Sequence, residues 1–96
     1  MTYRATKIVA TLGPASSDPG LLEQMIRAGV NVVRLNFSHG THEEHQQRIN
    51  VLRKVAERCG KPIAILQDLC GPKIRTGRVP GGATMLAEGS EVRLVE

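Results

Sequence analysis

Arg34, Asn36 and Ser38 occupy alternate positions of the stretch VVRLNFSHG, residues 32–40, whose other residues have the apolar character of a core strand. Side chains alternate faces along a strand, so these three share one side, about 7 Å apart between like-facing neighbours, while Val33, Leu35 and Phe37 share the other. A planar, permanently charged guanidinium on that side suits a phosphate or carboxylate. Asn36, Ser38 and the more distant Asp68 offer an amide oxygen, a hydroxyl and a carboxylate, hard donors able to hold a cation or to bond one another. The segment GPKIRTG, residues 71–77, adds Lys73 and Arg75 as phosphate-directed cations, with glycines that let backbone approach a ligand. It is not a Walker loop, which places a glycine and lysine at the opening of a helix. Two readings of Arg34 stay open: it meets a ligand, or it pairs with Asp68 in a buried ion pair, which is weak evidence for stability. His39 either binds phosphate or helps cap the helix that follows, and His42 and His45 read as solvated on a polar helical face.

These residues need a frame. KIVATL, residues 7–12, reads as a buried strand that leaves through Gly13-Pro14. Ser17-Asp18-Pro19 supplies capping residues and a proline suited to the first helical position. Leu21, Leu22, Met25 and Ile26 then form one face of a helix that Gly29 closes. Strand two spans Val30 to Phe37. Thr41 and Glu44 have capping-box spacing, and the helix they open turns Ile49, Leu52, Val55, Ala56 and Cys59 toward a core. Acidic residues lead this helix, Lys54 and Arg58 lie near its end, and Gly60 stops it. Strand three is Ile63 to Gln67. Two successive βαβ units predict a parallel sheet with right-handed crossovers.

In such a sheet, ligands bind beyond the C-terminal strand ends. Strand one delivers Gly13-Pro14 there, strand two Arg34, Asn36, Ser38 and His39, and strand three Asp68 with the loop that bears Lys73 and Arg75. Three strands and two helices cannot close a (β/α)8 barrel, which takes roughly 250 residues, so the chain reads as the front of a larger protein. Past Asp68, Met85-Leu86 and Val92 to Val95 flank Glu88-Gly89-Ser90 as two antiparallel strands of a second, small β unit. The resulting division is 1–73 for the α/β part and 74–96 for the start of the β unit.

Composition narrows the function. The 96 residues carry a formal charge of +4, but the basic residues are scattered and only Phe37 and Tyr3 could stack on bases. This argues against a nucleic-acid partner and leaves small-molecule phosphates as a good match. Cys59 and Cys70 form neither a CxxC pair nor a metal-ligand spacing with the histidines, which fits a reducing cytosol. No apolar run serves as a signal peptide or approaches transmembrane length, so neither export nor a membrane partner is expected.

Taken together, KIVATLGPAS, MIRAGVNVVRLNFSHG and AILQDLCGPKIRTG resemble the N-terminal part of pyruvate kinase, and the likeness runs from Thr6 to Glu96. The resemblance implies a (β/α)8 barrel interrupted after its third strand by a small β domain, within a homotetrameric cytoplasmic enzyme. It implies phosphoryl transfer from phosphoenolpyruvate to ADP, giving pyruvate and ATP, with Mg2+ and usually K+. Arg34 and Arg75 would then contact the transferring phosphoryl group. Asn36, His39 and Arg75 would lie on the nucleotide side, with Pro14 against the adenine. Asn36, Ser38, Asp68 and the Leu69 carbonyl would take the positions that hold the monovalent cation.

The likeness breaks at informative places. Many potassium-dependent members read DTKGPEIRTG where this chain reads DLCGPKIRTG, so Leu69, Cys70 and Lys73 replace threonine, lysine and glutamate. An ammonium is a compact charge able to stand in for potassium near Asp68, so these departures at Leu69 and Lys73 lead to the expectation of an enzyme for which K+ is not required. Lys73 as a solvated loop residue is the plain alternative. Glu44 stands where some members place an aromatic residue beside the adenine. The family's magnesium ligands and catalytic lysine come from later strands, outside this chain. A free-standing truncated relative, with a phosphate-binding or interaction role only, is the competing reading of the 96 residues.

Overall fold

The computed structural model describes residues 4–95. Strand β1 is Val9–Thr11, β2 is Val32–Asn36 and β3 is Ala64–Asp68, with helix α1, Pro19–Ala28, after the first and α2, His42–Cys59, after the second. The strands pair in parallel in the order β1-β2-β3. Thr11 lies abreast of Arg34, and Asn36 abreast of Asp68, so the C-terminal ends reach one edge of the sheet together. This is the alternation expected for the first part of a (β/α)8 barrel. The ladders are shorter than the apolar runs, but pairing continues past them. Val32 N donates to Ile8 O at 3.1 Å, Leu12 N to Arg34 O at 3.0 Å and Phe37 N to Asp68 O at 2.9 Å.

Local chemistry places the helix ends. Asp18 accepts from Leu21 N at 3.0 Å ahead of Pro19, and Gly29 closes α1 at φ 117°, a left-handed conformation that suits a residue without Cβ. Thr41 and Glu44 form the reciprocal box: Thr41 Oγ1 accepts from Glu44 N, and Glu44 Oε2 accepts from Thr41 N at 2.8 Å. Between these ends Leu22 and Ile26 of α1, and Leu52 and Val55 of α2, close over Leu12, Val33 and Leu35. Leu21 stays exposed, while Met25, Ile49, Ala56 and Cys59 pack around the rim. Both helices therefore cover one face of β2, and Val32, Arg34 and Asn36 are left half-buried on the other.

Two expectations need correction. His45 is 3% exposed rather than solvated, and its ring stacks on Phe37 with centroids 4.2 Å apart. Residues 69–95 contain no strand: the turn at Glu88-Gly89 forms, with Ser90 N on Ala87 O at 3.1 Å, but the segments flanking it do not pair. A two-stranded ribbon is marginal by itself, and Met85, Leu86, Val92, Leu94 and Val95 find no apolar face among the described residues and remain exposed. The radius of gyration is accordingly 19.1 Å, against about 13 Å for a compact domain of similar length. Tyr3 lies outside the described residues. No helix among them is long and apolar enough to cross a membrane.

Candidate functional site at the strand ends

Alternation along β2 decides where Arg34 points. With Val33 and Leu35 under the helices, its side chain rises on the opposite face, between the neighbouring strands. Nε donates to Asp68 Oδ2 at 2.9 Å, Nη2 donates to the same oxygen, and Nη1 donates to Thr11 Oγ1 at 3.1 Å. The pair with Asp68 foreseen as one of two readings is therefore present, but it is not buried: the side chains are 32% and 42% exposed. An ion pair this open contributes at most about 1 kcal/mol. Its consequence is orientation, because contacts on two sides hold the guanidinium plane over the sheet while part of it still faces solvent.

The turn after β2 builds the next layer. Asn36 Oδ1 accepts from Ser38 N at 3.1 Å, and His39 N donates to Asn36 O at 3.2 Å, an Asx-type turn that brings residues 36–39 back over the strand end. Lys73, from the segment after β3, reaches in and donates to Ser38 Oγ at 3.3 Å. The ammonium thus stands on Ser38 rather than forming an ion pair with Asp68.

Beside this cluster opens a cleft of about 470 Å³, with Thr11, Gly13 and Pro14 on one wall, Asn36, His39 and Gly40 on the other, and Glu44, His45 and Arg48 between them. Capping of α2 falls to Thr41, which leaves the His39 ring exposed at the cleft.

Arg34, Asn36, Ser38, Asp68 and Lys73 thus converge, with Pro14 and His39 alongside. Arg75 does not join them. Arg75 is exposed, and the Leu69 side chain lines an apolar groove with Phe37, Ile49 and Ile65 on the helix side of the sheet. Thr11, Ser17, His45 and Arg48 were missed. For His45 a signal existed, since residues 45, 49 and 52 continue the stripe of α2 that faces the core.

Several protein classes use parallel strand ends that present fixed cations, an amide and a carboxylate beside a cleft. Among them are phosphate- and carboxylate-handling (β/α)8 barrels. The barrel-domain model of pyruvate kinase matches residues 3–96, and the chain belongs to that family. Over 89 residues it is 57% identical to the pyruvate kinase of Staphylococcus haemolyticus strain JCSC1435. It is 54% identical to that of Staphylococcus epidermidis strain ATCC 35984 and 55% identical to that of Staphylococcus aureus strain USA300. Each match takes in 93% of this chain, which spans about 15% of the length of those relatives.

Proposed function

We propose that this chain is the N-terminal section of a cytoplasmic pyruvate kinase, which transfers the phosphoryl group of phosphoenolpyruvate to ADP and yields pyruvate and ATP in glycolysis. The observation that carries the proposal is Arg34, oriented by Asp68 and Thr11 over the open ends of three parallel strands. As the enol oxygen–phosphorus bond breaks and a terminal ADP oxygen takes its place, charge lies on the equatorial phosphoryl oxygens, where a fixed guanidinium stabilises it. Arg75 would join from the loop after β3. Pro14, Asn36 and His39 form the nucleotide side, in the cleft they line. Residues 1–73 belong to the barrel and 74–96 to the inserted β domain, and the complete enzyme is a homotetramer.

The family uses Mg2+. No cluster of three or more His, Cys, Asp or Glu side chains stands among the described residues, and Asp68 is engaged by Arg34. The ion would be held by residues of later strands. For the monovalent cation the position differs. Lys73 already donates to Ser38, one of the oxygens the family offers to potassium, and this supports turnover without K+. Assay of the complete enzyme with phosphoenolpyruvate, ADP and Mg2+ in a tetraalkylammonium buffer should give ATP at a rate that added K+ barely changes. An inactive enzyme rescued by K+ would contradict it. The 96-residue chain alone should form no pyruvate.

A further inference from the structure

Helix α2 begins between the two loops that wall the cleft, and one set of hydrogen bonds crosses from loop to loop through it. The Gly13 carbonyl accepts from the Ser17 hydroxyl at 2.7 Å, and Ser17 Oγ accepts from Arg48 Nε at 3.3 Å. Arg48 Nη1 lies 3.5 Å from His45 Nδ1, and His45 Nε2 lies 2.7 Å from the His39 carbonyl oxygen. Chemistry settles the directions. A carbonyl only accepts, so His45 carries its proton on Nε2; a guanidinium only donates, so His45 Nδ1 takes the bond through its lone pair. The neutral Nε2–H tautomer satisfies both neighbours together. Stacking on Phe37, with the rings 10° from parallel, holds the imidazole in that plane.

Gly40 allows the approach. At φ 78° it has no side chain, and a Cβ there would stand 2.9 Å from Glu44 Oε2 and 3.5 Å from Arg48 Nη1. Arg48 itself is half-buried and forms no ion pair among the described residues. Its partners are neutral and its bonds long, so stability alone is a poor account of an arginine here. What it joins are Gly13-Pro14 on one wall and His39-Gly40 on the other.

We propose that Arg48, acting through Ser17 and His45, is a positioning residue that sets the spacing of the two walls and thereby the fit of a nucleoside diphosphate between them. The inference rests on the proposed nucleotide side of the site. An arginine serves because Nε and Nη1 are two donors at fixed spacing in one rigid plane, a geometry that the rotatable donors of a lysine ammonium do not reproduce. Charge is then not the operative property.

The test uses the complete enzyme, with ADP titrated calorimetrically and steady-state kinetics alongside. Arg48→Lys, Arg48→Ala and Ser17→Ala should each weaken ADP binding roughly fivefold, the size of a lost hydrogen-bonded bridge. The KM for phosphoenolpyruvate should move less than about twofold, because the phosphoryl side is untouched. The double variant Ser17→Ala/Arg48→Ala should bind ADP no more weakly than Arg48→Ala, since both remove one bridge. Nitrogen NMR of the ligand-free protein should find His45 protonated at Nε2 and bare at Nδ1. Unchanged ADP affinity in the variants, additive losses, or a proton on Nδ1 would each overturn the inference while leaving the proposed activity intact. A wild-type enzyme that does not bind ADP would sink both.

Discussion

Residues 9–68 and residues 69–95 have similar shares of apolar and basic side chains and opposite fates. In the first region Arg34 has two partners, His45 has two, and Leu35 is fully enclosed. In the second, Arg75 is exposed, and Ile74, Met85 and Leu94 lie open to solvent. The difference lies in what each segment can lean on. A βαβ unit brings its own helix to cover its strands, so burial is complete within a short stretch of chain. A β ribbon needs a third strand or a packed face, and none is present among the described residues. Lys73 reaches across the boundary, and its bond to Ser38 is where the second region touches the candidate site.

Substitutions should separate the two regions sharply. Leu35→Ala leaves a cavity between β2 and both helices and should lower the opening free energy of the β2 amides by about 2–5 kcal/mol, read by hydrogen exchange in the complete protein. Thr41→Ala removes half of the capping box and should cost about 1 kcal/mol, confined to the first turns of α2 in the same measurement. Lys73→Glu should leave both regions folded yet make turnover depend on added K+, visible as a salt-specific rise in rate.

A smaller effect belongs to Glu23. Its carboxyl is held below the usual range by the hydrogen bond from Arg27, and further by the charges of Arg27 and Arg58. A lowered folded value means the group stabilises at pH values above its unfolded pKa, about 4.3, and the contribution fades as pH falls through the lowered one. Wild type and Glu23→Gln should therefore differ slightly in melting temperature at neutral pH and converge in acid; a gap that widens in acid would contradict the pairing. Ile74→Ser, at a fully exposed side chain, should shift stability by less than about 0.5 kcal/mol.

The same contrast explains what could be read from the residues alone. Capping signals such as Thr41 with Glu44, and the glycine stops at Gly29 and Gly60, are local, so their outcome does not depend on the rest of the chain. The parity of β2 is local too, and it placed Arg34 and Asn36 on the open face. The extent of Arg34 burial was not legible, because it depends on what covers that face. His45 was misjudged since its polarity outweighed its position, whereas Phe37 and the His39 carbonyl, brought near by the turn, satisfy both its ring and its proton. Lys73 stands on Ser38, one of the oxygens grouped with Asp68 in the sequence, while Arg34 holds the Asp68 carboxylate, an allocation that depends on the turn after β2 and is not legible from spacing. The strands at Met85-Leu86 and Val92 to Val95 failed for the reason that distinguishes the two regions: alternation and a turn do not supply a partner face.

The proposed role of Arg34 is to meet a transferring phosphoryl group at the strand ends. Its most direct test is the rate of ATP formation from phosphoenolpyruvate and ADP by the complete enzyme and its Arg34→Met variant, with hydrogen exchange showing both equally folded. The variant should lose about 10²–10³ in kcat, the range for removing a fixed donor from a charged transition state. A folded variant that retains wild-type kcat would contradict it.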